Sequence, residues 1–196
     1  MKCINKILLA AVFTSVSFVS FGSYAKPVTK PINVASQLKH DFSLDKKQQD
    51  FFKSMVIDLV ANGFGKMNIN KVKSYYNQDP ELRFADADGP FHKGWDNYKV
   101  WLGKIFNGVV DKQKFLTRDV HSVRLSDDIV LTTLIIDNKT RLTSGELIDS
   151  AMRLSFIWMQ SEGSWKIVHE HFSLWHGKLA GPMGYPDTGR QHIDLD

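Results

Sequence analysis

The chain has 196 residues, 43% of them apolar, and a formal net charge of +4. That size suits one domain with short flanks, and that apolar content excludes wholesale disorder. A single cysteine excludes a disulfide framework and any zinc site of paired cysteines.

Lys2 and Lys6 precede an apolar run from Ile7 to Phe21, and Ser23-Tyr24-Ala25 then sets small residues before a cut at Lys26. This is the layout of a secretory signal peptide over residues 1–25, and the run is short for a membrane anchor. Cleavage would remove two lysines, no acid and the only cysteine, Cys3. The expectation is an exported protein, periplasmic or secreted, with no membrane contact after cleavage. A small net charge without basic blocks argues against a nucleic-acid partner.

Residues 26–44 read as a flexible leader with Pro27 and Pro31. From Asp45 a helical stripe begins, carried by Phe51, Phe52, Met55, Val56, Leu59, Val60 and Phe64. Asp45 and Gln48 have capping-box spacing, and Gly63 and Gly65 end the helix. Asn68 can cap a short second helix holding Val72, Tyr75 and Tyr76, closed by Asp79-Pro80. Leu82 to Asp86 and Pro90 to His92 read as a hairpin around Asp88-Gly89. Gly94 to Phe106 reads as a third helix, with Trp95, Tyr98, Trp101, Leu102 and Ile105 on one face.

Four strands follow: 114–125, 129–136, 147–160 and 165–174, with turns at Asp127-Asp128 and Glu162-Gly163. Residues 175–196 read as a tail. Helices ahead of antiparallel strands define an α+β fold with the helices on one face of the sheet.

Period-2 pairing predicts which side chains face inward. A two-residue turn at Glu162-Gly163 pairs Trp158 with Ile167, Phe156 with His169 and Leu154 with His171. The apolar face of that strand points at the helices, so His169 and His171 are expected inside, and Glu170, Phe172 and Arg153 outside. The Asp127-Asp128 turn pairs His121 with Leu134 and Asp119 with Ile136, which puts Asp119 and His121 inside as well. A one-residue bulge would reverse any of these orientations.

The expected cavity is therefore aromatic and apolar, lined by Tyr75, Phe84, Trp101, His121, Leu134, Leu154, Phe156, Trp158 and His169. Apolar walls with a few convergent polar groups suit a small-molecule ligand. His171, Asp86 and Asp119 are the candidate acid–base residues, because an inward carboxylate or imidazole can move a proton near neutral pH. Two histidines on one strand lack a converging third ligand, so no metal and no cofactor are expected.

Phe84-Ala-Asp-Ala-Asp-Gly, Lys93-Gly94-Trp95 and Gly163-Ser-Trp-Lys-Ile-Val-His-Glu-His-Phe-Ser173 resemble the SnoaL-like proteins of the nuclear transport factor 2-like superfamily, over residues 45–174. Gly94-Trp-Asp-Asn-Tyr-Lys-Val-Trp-Leu and Trp165-Lys-Ile-Val-His-Glu-His are also similar to the association domain of calcium/calmodulin-dependent protein kinase II. The resemblance implies a cone, a curved and mainly antiparallel sheet wrapped around three N-terminal helices. It also implies frequent homodimers or larger rings, and members that are isomerases, dehydratases or non-catalytic binding or oligomerisation modules.

Asp86 matches the position of the ketosteroid isomerase base with a one-residue gap, whereas the first helix here has no tyrosine for an oxyanion contact. Where the association domain carries pocket arginines, this chain has Ile136, Phe156 and Phe172, so an acidic ligand is not implied. The favoured reading is an exported protein that binds a small apolar ligand. The first alternative is an isomerase- or dehydratase-type enzyme using an Asp or His base next to a carbonyl, and the second is a non-catalytic oligomerisation module.

Overall fold

The computed structural model describes residues 41–86, 89, 91–175 and 191–195. The expected signal peptide, the leader up to residue 40, Asp88 and most of the tail lie outside the described residues.

Helix α1 spans Lys46–Asp58 and runs on into a wider π turn over Leu59–Phe64. Its capping box forms: Gln48 N–H donates to Asp45 Oδ1 at 2.8 Å, and Asp45 N–H donates to Gln48 Oε1 at 3.2 Å. Asn68 caps α2 (Ile69–Tyr75) by accepting from Lys71 N–H at 3.0 Å. Strands β1 (Arg83–Ala85) and β2 (Phe91–Lys93) form the short hairpin that leads into α3 (Gly94–Lys104). At that corner Gly94 has φ +72°, and a Cβ there would meet the Pro80 backbone at 3.1 Å. Glycine alone suits both constraints.

The remaining strands are β3 (Val110–Ser126), β4 (Ile129–Leu142), β5 (Leu147–Ser161) and β6 (Ser164–Trp175). The curved, unclosed sheet has the order β2-β1-β6-β5-β4-β3, antiparallel except where β1 runs parallel to β6. Its inner face packs on the helices through Phe52, Val56, Leu134, Leu154, Phe156 and Trp158, all buried. Some polar atoms in this core bond to one another. Trp158 Nε1 donates to Thr132 Oγ1 at 3.1 Å, and Ser122 Oγ lies 2.8 Å from the same oxygen.

Bulges in β6 and β3 overturn the expected orientations. Trp158 pairs with Ile167 as the hairpin turn predicts, but the next pair is Ile157 with His169, so Val168 is an extra residue. Beyond it Phe156 pairs with Glu170, and Leu154 with Phe172. Glu170 and Phe172 therefore face inward and are buried, while His169 and His171 turn outward. In β3, Ser126 pairs with Ile129 but Arg124 with Val130, so Leu125 is an extra residue and His121 meets Thr133 rather than Leu134. A further shift between the pairs Arg118–Ile135 and His121–Thr133 leaves Asp119 in a bulge at φ +54°. Aspartate tolerates that left-handed backbone better than most residues. Asp119 and His121 are both exposed.

The outward face of β3 and β4 holds a buried ion pair. Arg118 grips Asp137 with two hydrogen bonds, of 2.9 and 3.1 Å, and the Gln191 amide donates to the same carboxylate at 3.0 Å. Lys139 Nζ donates to the Ile193 carbonyl at 2.9 Å, and Ile193 and Leu195 are buried. Removing Asp137 would take two hydrogen bonds from Arg118 and the acceptor from the Gln191 amide, at a site where Asp137 is 1% exposed. Asp137→Ala is expected to lower the unfolding free energy by ~3–5 kcal/mol and to speed hydrogen exchange at the Gln191 amide. Urea denaturation checks the first effect. An unchanged midpoint would mean that the pair carries no net stability.

Candidate functional site

Between the helices and the sheet lies a cavity of about 480 Å³. Leu102, Ile105 and Phe106 of the third helical segment form one wall, and Ile136, Met152 and Phe172 of the sheet form another. The polar lining is sparse. Gln113, Asn138, Thr140 and Ser150 supply neutral groups from the strands, and Asp86 and Tyr98 supply a carboxyl and a phenol from the β1 side. Most neutral groups are already engaged: Thr140 donates to Asn138 at 2.7 Å, and Gln113 Nε2 donates to the Phe64 carbonyl at 2.7 Å. Asp86 is the only charged side chain among the described residues that line the cavity.

Asp86 follows directly after β1, and its position is set by α3. Trp101 Nε1 donates to Asp86 Oδ2 at 2.8 Å. Trp101 lines the cavity and stacks on His92, centroid to centroid, at 5.3 Å. His92 also stacks on Tyr98 at 5.5 Å. Burial holds the His92 imidazole below its ordinary pKa against the upward pull of Asp86.

Behind Tyr98 sits Glu170, fully buried on the inner face of β6. The Tyr76 hydroxyl donates to its Oε2. Its Oε1, together with Trp95 Nε1 and His92 Nε2, has no hydrogen-bond partner. Desolvation pushes the Glu170 carboxyl up to about 8, the Asp86 charge adds to this, and the phenols of Tyr76 and Tyr98 act against it. Both phenols are pushed well above their usual range, first by burial and then by the Glu170 charge. They remain neutral O–H donors at any physiological pH.

Of the residues expected to form the site, Asp86 and Trp101 line this cavity together. Leu134, Leu154, Phe156 and Trp158 do face inward, but they are close-packed core rather than cavity wall. Phe84 stacks on Tyr98 at 5.6 Å within that core. The Tyr75 hydroxyl donates instead to Asp58, which Lys71 holds at 2.5 Å. Those contacts bring Asp58 down to about 2. His171 and Asp119 are exposed on the outer face, and His121 is exposed there too. His169 is half-buried beside the Arg83 carbonyl at 3.2 Å.

Sequence reasoning missed Glu170, Phe172 and the polar strand residues near Asn138. The helical face shared with Trp101 already carried a signal for Tyr98. No local signal marks the Val168 bulge.

Three helices packed on a curved, unclosed six-strand sheet define the cone of a nuclear transport factor 2-like protein. The sequence profile of the SnoaL-like domain matches residues 55–176, and the chain belongs to that family. The family includes isomerases and dehydratases.

Among solved structures, a nuclear transport factor 2-like superfamily protein from Salmonella enterica serovar Typhimurium aligns with a TM-score of 0.60 at 15% identity, over 67% of this chain and 94% of its own. A hexachlorocyclohexane dehydrochlorinase aligns at 0.56 and 12% identity, over 67% and 90%. A protein from Xanthomonas campestris, assigned as a calcium/calmodulin-dependent protein kinase II association domain, aligns at 0.52 and 15% identity, over 69% and 95%. At such identities the likeness is one of fold. No protein of curated function matches the sequence.

The elevated Glu170 pKa has a stability consequence. Between its unfolded value of 4.5 and its folded value of about 8, the folded state holds a proton that the unfolded state has released. The stabilisation is complete below pH 4.5 and is lost as pH rises through that window, by up to about 5 kcal/mol for a shift of this size. Glu170→Gln is expected to remove this component, so that wild type and variant diverge in stability as pH rises from 5 towards 8. Thermal unfolding across that range checks it, and parallel profiles would show that Glu170 does not titrate this way.

Proposed function

We propose that the domain binds one small, uncharged or cationic, largely apolar molecule in the cavity between α3 and the sheet. The observation that carries this reading is the wall itself. It is apolar over most of its area, of small-molecule size, and carries one carboxyl and no basic side chain among the described residues. Apolar surface supplies the binding free energy, and a few polar groups set orientation. A buried anionic ligand would meet Asp86 without a counter-charge, which costs more than the contacts return.

A second reading is supported by Asp86 and Tyr98 sharing the wall. A carboxylate that accepts a proton and a phenol that donates a hydrogen bond are the two groups needed to form an enolate from a ketone. In that step the α C–H bond breaks, its proton passes to Asp86, and the Tyr98 O–H stabilises the oxyanion.

Two measurements test these readings. Thermal shift with matched naphthalenes should show stabilisation by 2-acetonaphthone and 2-naphthylmethylamine and none by 2-naphthoate. Ile148→Trp, which fills the cavity from its rim, should abolish the shifts. No shift with any of the three, or shifts indifferent to Ile148→Trp, would sink the binding reading. For the enzyme reading, NMR should show protein-catalysed deuterium uptake at the methyl group of 2-acetonaphthone, slowed about 10²-fold or more by Asp86→Asn. Uptake equal in wild type and variant would remove Asp86 as the base.

A further inference from the structure

Glu170 does not touch the cavity. It lies between Phe84 of β1 and Phe156 of β5, both fully buried. Packing alone would favour an apolar side chain there, because a buried carboxyl is costly unless its oxygens are satisfied. One oxygen is held by Tyr76, and the other has no partner. Tyr98 belongs to both compartments. It lines the cavity between Phe84 and His92, and it packs on Phe84, which pairs with Glu170, and on Tyr76, whose hydroxyl holds Glu170.

We propose that Glu170 is a positioning residue for the cavity, setting whether the Tyr98 hydroxyl is offered to a ligand or turned back into the core. The proposal rests on the reading that the cavity binds a small molecule. Its basis is the difference between the two forms of a carboxyl group. An ionised carboxylate only accepts hydrogen bonds, whereas the neutral acid brings its own O–H. As a neutral acid, Glu170 is satisfied by Tyr76 and leaves Tyr98 able to donate into the cavity. As an anion, it draws both phenol hydroxyls, and a ligand acceptor loses its donor.

The surrounding groups do not blur this change. Glu170 is faced by Tyr76, just after α2, and Tyr98 from α3, and by the charge of Asp86 just after β1. Burial keeps both phenols protonated while Glu170 ionises at about 8. His92, on β2, is held below its ordinary value by burial, which disfavours charge on it.

The test compares two uncharged probes on the full chain at about pH 6.5 and about pH 9.5, on either side of the transition. One is 2-acetonaphthone, which has a carbonyl acceptor, and the other is 2-ethylnaphthalene, which has none. In wild type the ketone should bind about five- to tenfold more weakly at the higher pH, the worth of one hydrogen bond. The hydrocarbon should bind equally at both.

Glu170→Gln cannot ionise and should bind the ketone equally at both pH values. Tyr98→Phe should also be flat, at a weaker level. A flat ketone profile in wild type, or a drop that persists in Glu170→Gln, overturns the proposal. Should Glu170→Gln fail to fold, a drop that persists in Tyr98→Phe overturns it equally. If neither naphthalene binds at either pH, the binding reading falls and this inference falls with it. If both bind and only the pH effect is missing, the inference alone falls.

Discussion

The single extra residue at Val168 shifts the pleat of β6 by half a period. Everything on that strand after Ile167 changes side as a result. Phe172 becomes a wall of the cavity, and Glu170 enters the core. The same shift aligns β6 with β1, where Phe84 pairs with Glu170. Because β1 leads to Asp86 and the β2 corner leads to α3, the bulge sets the inner face of β6 against the elements that carry Trp101 and Tyr98. A strand of strict period 2 would have placed two imidazoles there.

That one carboxyl organises an otherwise aromatic interior. Tyr76, Trp95 and Tyr98 gather within ring contact of one another, with centroids 5.3 to 6.0 Å apart. Rings of this kind fill space well and still carry a polar edge or hydroxyl. They can surround a buried acid without opening the core to water. The cost is visible in three buried polar atoms without partners in the same region: His92 Nε2, Trp95 Nε1 and Glu170 Oε1. Elsewhere the buried polar side chains Ser122, Thr132 and Asp137 are bonded.

The order of elements, the helix caps at Asp45 and Asn68, and the four-strand meander were legible because each rests on local signals of spacing or turn chemistry. Asp86 and Trp101 were legible for the same reason, lying next to a turn and on a helix face. The site failed to emerge where inference had to cross a strand. Pairing read from the Glu162-Gly163 turn is right for Ser164 to Ile167 and wrong from His169 onward. The backbone of Val168 supplies no residue type that demands a bulge. Asp119 could have been suspected, since aspartate suits the left-handed region it occupies. The histidines attracted notice through their chemistry, yet His171 faces solvent because register, not residue type, decides the side.

Asp86 and Glu170 are best understood as one electrostatic unit in two dielectric settings. The Asp86 charge disfavours charge on Glu170. Asp86 itself accepts from the Trp101 indole N–H at 2.8 Å and lines the cavity. Glu170 has Phe84 and Phe156 on either side, and holds its proton to about pH 8. Tyr98 lines the cavity, and its ring packs on Tyr76, whose hydroxyl holds Glu170. A purely structural core would be more stable with an apolar residue at 170. Packing alone therefore does not account for the acid at this position.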